Sequence, residues 1–481
     1  MRLYDLLENN VTTALDNIDI SMITDNTGKV CEGCLFVCIK GSRFDGHSAA
    51  ADMLEKGAAA VAVERDLGLG ERQIVVEDTR DFYGKLCSAW FSHPEKKIKL
   101  IGVTGTNGKT TITNAIKYIL MQNGHKTGLI GTIQNEIGDE IIPAANTTPF
   151  VFELMELFDR MAKAGCEYVV MEVSSFGLSQ KRIGSSHFET SVFTNLTQDH
   201  LDYHKDMEDY YLAKKMLFNI CDQAICNIDD DYGKRLFNEI SCTKYTYGCN
   251  TNSDFYADGI KARVDGSSFW LCFGDKSHYV TIKMPGMFNV SNMTAAIAVC
   301  VRSGLPIEDV IDAASKYSGV RGRCEIIPTG RDFTVICDYA HTPDALDNVL
   351  KSVKEYTEGR LICLFGCGGN RDTAKRPKMA LAAANHADFL VITSDNPRDE
   401  EPQSIIDEII AGLEDTTVPY KAITDRRDAI YYALENAQPG DVIVLAGKGH
   451  EDYQVLANGE QIHFDEREVV AKAIKSMSLD M

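Results

Sequence analysis

Short apolar runs alternate along the chain with longer segments in which apolar residues recur every three or four positions. The short runs have the length and β-branched content of buried strands, and the longer segments have the period of helices. This alternation is typical of an α/β protein built on parallel sheets. The pattern predicts three domains, with the bounds 1–97, 98–329 and 330–481.

The first region predicts a small α/β unit with one polar loop. Strands are predicted at residues 34–39 and 57–63, with a helix at 48–56 between them. The loop at residues 41–47 is polar and bounded by glycines, so Ser42 within it is a candidate ligand-binding residue. Cys31 and Cys34 are the most closely spaced cysteines, but no matching Cys or His pair follows nearby. We therefore interpret them as buried thiols rather than as a zinc or redox site.

A glycine-rich segment in the second region lies between a predicted strand at 99–103 and a predicted helix at 112–120. Backbone N–H groups of such a loop can surround phosphate, and the helix N-terminus adds partial positive charge. Lys109 can reach the β- and γ-phosphates, and the Thr110 hydroxyl can bind Mg²⁺. The strict Walker pattern has glycine where this chain has Val103. The context still predicts an ATP or GTP site, formed by Thr104, Gly105, Thr106, Asn107, Gly108, Lys109, Thr110 and Thr111.

Two further predicted strands of this region end in polar clusters. The strand at 167–173 carries Glu172 just inside its end, and the strand at 190–195 precedes Asp199, His200 and Asp202. Ligands of open α/β sheets bind at the carboxyl ends of strands. A carboxylate in a core strand must be paired, protonated or bound to metal, so Glu172 is predicted to contact a metal ion or its water. A solvated edge position for Glu172 and a capping or core role for His200 are the alternatives.

The third region predicts a second ligand-binding sheet. Strands are predicted at 333–337, 361–365, 389–392 and 442–445, and each is followed by a polar loop containing glycine or proline. These loops, at 338–343, 366–372, 395–398 and 447–451, are expected on one rim of one sheet. Such a rim is where an open α/β sheet builds a ligand site.

Composition restricts the class of partner and the compartment. The 481 residues contain 49 Lys and Arg against 70 Asp and Glu, a net charge of −21, which argues against a nucleic-acid partner. No apolar run reaches the roughly 18 residues of a membrane span, and the N-terminus is too charged for a signal peptide. The 15 scattered cysteines indicate reduced thiols. We expect a cytoplasmic protein that contacts no membrane.

The motifs, taken together, resemble the Mur ligase family over essentially the whole chain. The matching segments stand in family order at residues 104–111, 172–175, 195–202, 338–343 and 446–454. The resemblance implies a three-domain α/β architecture, with a central P-loop parallel sheet and a Rossmann-like C-terminal domain. It also implies activation of a carboxylate by ATP and Mg²⁺, followed by attack of an amine on the acyl phosphate. A nonenzymatic nucleotide-binding relative and a folate-type ligase are the alternatives, and a monomer is expected.

The resemblance assigns residues to ATP and to the metal ion. Thr110, Glu172 and His200 match the metal ligands, and Lys214 matches a lysine that the family carbamylates with CO₂. The residues alone would instead make Lys214 a solvated helix lysine, and neighbouring Lys215 leaves the register open. Three more positions match residues that hold the nucleotide across the domain junction: Asn292, Arg323 and Asp338.

The resemblance also assigns both substrates. The acceptor would be UDP-MurNAc-L-Ala-D-Glu, held by Asn146, Thr147, Thr148, Ser174, Gln180 and Arg182, with its uridine end in the first domain. There the family usually has Asp-Ser-Arg, whereas this chain has Asp25, Asn26 and Thr27, so Asn26 is the remaining candidate contact. The added amino acid would be meso-diaminopimelate, with L-lysine or another diamino acid as the alternative, read by Arg371, Asp395, Asn396, Pro397, Arg398, Gly447 and Glu451. A guanidinium at Arg398 can bind the distal carboxylate bidentately, which would select against lysine.

Overall fold

The computed structural model describes residues 1–8, 15, 17–41, 44–199, 203–249 and 253–479. Three main sheets, of four, eleven and six strands, follow one another along the chain, and a two-stranded hairpin accompanies the third. The predicted α/β class with parallel sheets is therefore confirmed. Across the described ranges, no helix is both long and apolar enough to cross a membrane.

The first sheet is parallel throughout and has the order β1-β2-β3-β4. Its buried strands lie at the positions where the sequence has apolar runs, and they pack against three helices. Asp78 caps the longest of these helices by accepting from the N–H groups of Arg80 and Asp81. The elements are β1 (Ile23–Thr24), β2 (Leu35–Val37), β3 (Ala60–Val63), β4 (Gln73–Val75), α1 (Leu3–Leu7), α2 (Ala50–Glu55) and α3 (Thr79–Trp90).

The second sheet has a parallel centre and antiparallel extensions on both sides. Its strands are β5 (Lys99–Thr104), β6 (Thr127–Ile130), β7 (Gln134–Ile137), β8 (Glu140–Pro143), β9 (Tyr168–Glu172), β10 (Phe188–Phe193), β11 (Cys221–Asn227), β12 (Thr243–Gly248), β13 (Phe255–Arg263), β14 (Gly266–Phe273) and β15 (Lys276–Ile282). Its helices are α4 (Lys109–Gln122), α5 (Val151–Lys163), α6 (Ser175–Ser179), α7 (Met207–Lys215), α8 (Asp231–Glu239), α9 (Met287–Arg302) and α10 (Ile307–Lys316).

The third sheet has the order β16-β17-β21-β18-β19-β20, and only β16 is antiparallel to its neighbour. Its strands are β16 (Glu325–Ile327), β17 (Thr334–Asp338), β18 (Leu361–Phe365), β19 (Phe389–Ile392), β20 (Tyr420–Ala422) and β21 (Val442–Ala446), followed by the hairpin β22 (Tyr453–Val455) and β23 (Gln461–His463). Its helices are α11 (Pro343–Lys354), α12 (Lys375–Ala384), α13 (Pro402–Ile410), α14 (Arg426–Glu435) and α15 (Glu466–Leu479).

The strand order brings the predicted loops together. In the second sheet β5 lies between β9 and β10, so the phosphate-loop segment, Glu172 and Asn195 follow three adjacent parallel strands. In the third sheet β17, β21, β18 and β19 are adjacent and parallel, so the four polar loops share one rim as expected. The strand β16 joins this sheet although it precedes residue 330, so the third sheet begins before the predicted domain boundary.

Candidate active site

A cavity of about 850 Å³ lies between the second and third sheets. The phosphate-loop segment and the ends of β9 and β10 form one wall, and the segment after β17 together with α11 forms the other. The third domain also touches the loop directly, because Asp344 Oδ2 accepts from Thr197 Oγ1 at 2.8 Å and from Asn107 Nδ2 at 3.3 Å. The residues that line the cavity include Thr106, Asn107, Gly108, Lys109, Thr110, Thr111, Asn146, Thr147, Thr148, Glu172, Ser174, Arg182, Lys214, Asn292, Arg323 and Asp338.

The loop between β5 and α4 has the backbone geometry of a phosphate cradle. Gly105 and Gly108 have φ values of +147° and +88°, which side chains rarely adopt. A Cβ atom on Gly105 would lie 1.8 Å from Thr194 Oγ1, and one on Gly108 would lie 2.5 Å from Asn292 Oδ1. The Lys109 Nζ donates to the carbonyls of Gly105 at 2.9 Å and Thr106 at 2.7 Å. The loop therefore curls around a positive charge at the N-terminus of a 14-residue helix.

A second lysine reaches the same loop. Lys214, on α7, is 1% exposed, and its Nζ donates to the Gly105 carbonyl at 2.8 Å and lies 4.4 Å from the Tyr210 ring centroid. Burial, followed by the nearby charge of Lys109, holds the pKa of Lys214 well below its usual value. The interpretation of Lys214 as a solvated helix lysine is therefore wrong. That description suits Lys215, which pairs with Glu239 at 2.7 Å and is partly exposed.

Glu172 is the last residue of β9 and is 1% exposed, which excludes the solvated edge position. Its Oε1 accepts from Thr132 N and its Oε2 from Thr132 Oγ1, both at 2.9 Å. With Thr110 and Asp199 it supplies hard oxygen donors to the cavity wall. These donors suit Mg²⁺, which binds a few protein oxygens and completes its shell with water and phosphate. Among the described residues, no three His, Cys, Asp or Glu side chains form a cluster that could hold a metal ion by themselves. His200 lies outside those residues.

Four of the predicted peptide-binding residues, Thr148, Ser174, Gln180 and Arg182, form one hydrogen-bonded chain beside Glu172. Thr148 Oγ1 donates to the Glu172 carbonyl at 2.9 Å and accepts from Ser174 N at 3.0 Å. Arg182 donates through Nη1 to the Thr148 carbonyl at 2.9 Å and through Nε and Nη2 to Gln180 Oε1 at 3.0 and 2.8 Å. A fixed guanidinium on the cavity wall can attract a carboxylate substrate.

Asp338 and Arg323 face each other at the junction of the second and third domains. Asp338 accepts from Cys324 N at 2.6 Å and Ala340 N at 2.7 Å, while burial raises the pKa of its carboxyl group. The Arg323 guanidinium lies 4.7 Å from the Tyr339 ring centroid, and both residues line the cavity. A flat cation over an aromatic ring at the mouth of a phosphate-loop cavity suits a nucleotide.

The predicted amino-acid-binding residues form a separate cluster on the rim of the third sheet. Arg398 has a φ of 53°, and its Nη1 donates to the Gly369 carbonyl at 2.8 Å. Arg371 lies close to it, since a Cβ atom on Gly368 would be 2.9 Å from Arg398 Nη1 and 3.8 Å from Arg371 Cγ. Lys448 is surrounded by the rest of this cluster, which consists of Asp395, Asn396, Gly447 and Glu451. Pro397 precedes Arg398 and is buried.

Sequence reasoning did not single out Lys448 or Asp344. Lys448 stands inside the Gly-Lys-Gly-His-Glu segment, which was the only signal for it. The loop at 41–47 is described in part, and Ser42 lies outside the described residues. Asn26 is exposed, and its Oδ1 accepts from Gly28 N at 2.8 Å. Asn26 is not among the residues that line the cavity, and its proposed contact with uridine in the first domain stays a prediction. All 15 cysteines are free thiols, and Cys31, expected to be buried, is exposed because it lies in a surface turn.

Three family models match successive parts of the chain. The model of the Mur ligase family catalytic domain matches residues 19–91, that of the Mur ligase middle domain residues 103–300, and that of the Mur ligase glutamate ligase domain residues 322–449. Together the three matches follow the three sheets in order and cover most of the chain.

Two similar proteins and one similar solved structure carry the same activity name. The UDP-N-acetylmuramoyl-L-alanyl-D-glutamate–2,6-diaminopimelate ligase of Caldanaerobacter subterraneus subsp. tengcongensis is 45% identical over 479 residues, which cover 98% of this chain and 99% of that protein. The ligase of the same name from Clostridioides difficile is 43% identical over 486 residues, covering 99% of this chain and 100% of its own. A solved structure of a ligase of this name is 31% identical, covers 99% of both chains and has a TM-score of 0.75.

Proposed function

The chain belongs to the Mur ligase family, and from that premise we propose that it is an ATP-dependent amide ligase of peptidoglycan synthesis. It adds meso-2,6-diaminopimelate to the D-Glu carboxylate of UDP-MurNAc-L-Ala-D-Glu and releases ADP and phosphate. Relatives that are 45% and 43% identical over nearly their whole length bear the name of this ligase. The observation that carries the proposal is the single cavity that combines the phosphate loop, the Glu172–Thr148–Arg182 chain and the Asp338–Arg323 pair.

The cavity supports a two-step reaction. A D-Glu carboxylate oxygen attacks the γ-phosphorus of ATP, the bond from that phosphorus to the β,γ-bridging oxygen breaks and ADP leaves. The ammonium of Lys109 stabilises the charge that develops on the transferred group. The amine of the incoming amino acid then attacks the acyl carbon, and phosphate leaves with the former carboxylate oxygen. Arg182, Thr148 and Ser174 orient the carboxylate. Asn292, Arg323 and Asp338 hold the nucleotide. A cavity closed between two domains also protects the acyl phosphate from water.

Four residues would hold Mg²⁺: Thr110, Glu172, His200 and Lys214, the last as a carbamate. When bound, the ion would supply positive charge that stabilises the phosphoryl group during transfer. The support for the carbamate is the lowered pKa of Lys214, because only a neutral amine attacks CO₂. The product is an anionic oxygen ligand where the free side chain would place an amino group. In ¹³CO₂-equilibrated protein, a carbamate ¹³C signal that is missing from Lys214→Ala would support this assignment, and an unmodified Lys214 in active, metal-loaded protein would refute it.

The third-domain cluster would read the amino acid. The Arg398 guanidinium, with Arg371 beside the same Gly368 backbone, supplies cations for a carboxylate, and Glu451 presents an anion for an ammonium group. L-Lysine has no distal carboxylate, so it would leave Arg398 without its partner at an energetic cost. We further propose a monomer in the cytoplasm, where ATP and UDP-sugars are available and where 15 free thiols remain reduced.

The test is ATP-dependent phosphate release with the UDP-dipeptide and a panel of amino acids. Release should require the UDP-dipeptide and should be fastest with meso-diaminopimelate. If release is fastest with L-lysine, the protein is still an ATP-dependent ligase, but the amino acid that it adds is L-lysine instead of meso-diaminopimelate. Release that does not depend on the UDP-dipeptide would contradict the proposed function.

A further inference from the structure

A fully buried lysine lies at the centre of the proposed amino-acid site. Lys448 is 0% exposed and follows Gly447 at the end of β21. Its Nζ donates to Asp395 Oδ1 at 3.2 Å, to Asn396 Oδ1 at 3.0 Å and to Glu451 Oε2 at 3.0 Å. An ammonium group has three N–H donors. All three are therefore used on side chains proposed to read the amino acid, and none is left for the substrate.

We propose that Lys448 is a positioning residue for amino-acid specificity, which acts on the incoming diamino acid through Asn396 and Glu451. This inference rests on the ligase function proposed above. Lys448 itself does not contact the substrate.

The hydrogen bonds of Lys448 leave one oxygen of Glu451 for a ligand. Glu451 Oε2 accepts from Lys448 and also from Asn396 Nδ2 at 3.1 Å. With Oε2 held by two donors, the carboxylate cannot rotate freely, and Oε1 is the oxygen that can accept from a substrate ammonium group. Asn396 Oδ1 is fixed in the same way, because it accepts from Lys448 and from Val455 N at 3.0 Å. The carboxamide is thereby oriented, with its nitrogen on the Glu451 side.

Lys448 also sets the charge of the site. Asp395 and Glu451 carry two negative charges and Lys448 one positive charge, so the three groups leave a single negative charge, which suits one ammonium group. Burial alone would raise the pKa of Asp395, but the ammonium of Lys448, together with the nearby charge of Arg426, lowers it below its usual value. Without Lys448 the carboxylates of Asp395 and Glu451 would lose the cation that lies between them, and uptake of a proton by one of them would be favoured. The anion that attracts the substrate would then be lost.

The strand ends below this site are rigid. Arg426, 1% exposed, donates to the Ala446 carbonyl at 2.9 Å and to the Ser394 carbonyl at 3.4 Å, which are the residues preceding Gly447 and Asp395. Its charge is balanced by the buried Glu466 at 2.7 Å. The backbone is therefore held independently of Lys448. Removal of the Lys448 ammonium should disturb side-chain orientation before it disturbs the fold.

The experiment compares Lys448→Met with Lys378→Met, which removes an exposed lysine from α12 of the same domain. For Lys448→Met we expect the KM for meso-diaminopimelate to rise by about 30-fold or more, because misoriented Asn396 and Glu451 side chains weaken the binding of this substrate alone. The KM values for ATP and the UDP-dipeptide should stay within about twofold of wild type. Lys378→Met should leave all three unchanged. An unchanged KM for meso-diaminopimelate in Lys448→Met, or a parallel rise of all three KM values, would overturn the inference.

A double-mutant cycle with Glu451→Gln keeps the inference testable if Lys448→Met alone folds poorly, since the double variant removes the cation and one anion together. Lys448 acting through Glu451 should add little, about threefold or less, to the KM of the Glu451→Gln background. Effects that multiply would show that Lys448 acts independently and would overturn the proposal. A wild type without ATP-dependent incorporation of meso-diaminopimelate would instead refute the ligase function, so the two failures are distinguishable.

Discussion

Replacement of Lys214 by methionine should abolish turnover and at the same time stabilise the protein. The Lys214 side chain is 1% exposed, its Nζ donates to the Gly105 carbonyl at 2.8 Å, and Lys109 Nζ donates to the same oxygen at 2.9 Å. Two amino groups therefore share one acceptor in a desolvated site. Methionine keeps the volume of the stem and removes the buried charge. Replacement of buried ion pairs by apolar side chains of similar size is often neutral or stabilising by about 1–4 kcal/mol, and we expect a gain in the same range for a buried amino group.

The sign of the pH dependence follows from the lowered pKa. Lys214 is a base whose pKa in the folded chain lies well below its value in the unfolded chain, about 10.4. Between these two values the unfolded chain binds more protons than the folded chain, so the stability of the wild type rises with pH. The contribution of Lys214 is at most about 1.4 kcal/mol per pH unit. Lys214→Met lacks this contribution, and its advantage over wild type should shrink as the pH increases.

Denaturant unfolding at pH 7, 8 and 9 in CO₂-free buffer measures both effects, with Lys215→Met as the matched control. The control removes a partly exposed lysine that pairs with Glu239, so its stability should change by no more than about 0.5 kcal/mol. The reasoning is refuted if Lys214→Met is less stable than wild type at pH 7. It is equally refuted if the difference between the two proteins does not change with pH.

Three other substitutions test the proposed roles of single residues. Lys109→Ala should lower kcat by far more than tenfold while the UDP-dipeptide still binds. A variant that retains more than about a tenth of the wild-type rate would have lost less than roughly 1.4 kcal/mol of transition-state stabilisation, and this would contradict the phosphate-loop assignment. Gly108→Ala should raise the KM for ATP at least tenfold, because its φ of +88° is strained for alanine and the added Cβ would lie 2.5 Å from Asn292 Oδ1; steady-state kinetics that match wild type would refute this. Arg398→Ala should lose most of an expected preference of about 10³-fold for meso-diaminopimelate over L-lysine, and competition kinetics in which the preference survives would contradict the role of Arg398.

The local pattern of apolar and polar residues was sufficient to predict the strands and helices that are formed by buried apolar runs. The strands predicted at 361–365 and 389–392 are β18 and β19, and the segment predicted as a phosphate loop does join β5 to α4. The hairpin strands β13–β15 were not predicted, because their exposed face alternates polar residues with aromatic ones such as Trp270 and Tyr279. Their pairing is local, because β13 turns into β14 between Arg263 and Gly266 and β14 into β15 between Phe273 and Lys276, but strand propensity depends strongly on the packing context.

Side-chain environment was the part that local pattern could not supply. Lys214 and Lys215 are adjacent in a helix, and only the packing of α7 against the phosphate loop decides which of them is buried. Lys448 is a further case, because its three acceptors come from loops after two different strands. Such convergence is a property of strand order, and a single segment carries no sign of it.

The transfer of an isotopic label tests the central claim most directly. The D-Glu carboxylate of the UDP-dipeptide is labelled with ¹⁸O, and the reaction is run with ATP and meso-diaminopimelate. An amide ligase that forms an acyl phosphate should give inorganic phosphate containing one ¹⁸O atom per molecule of UDP-tripeptide formed, as read by mass spectrometry. Tripeptide formed together with unlabelled phosphate, or phosphate released without tripeptide, would contradict the account.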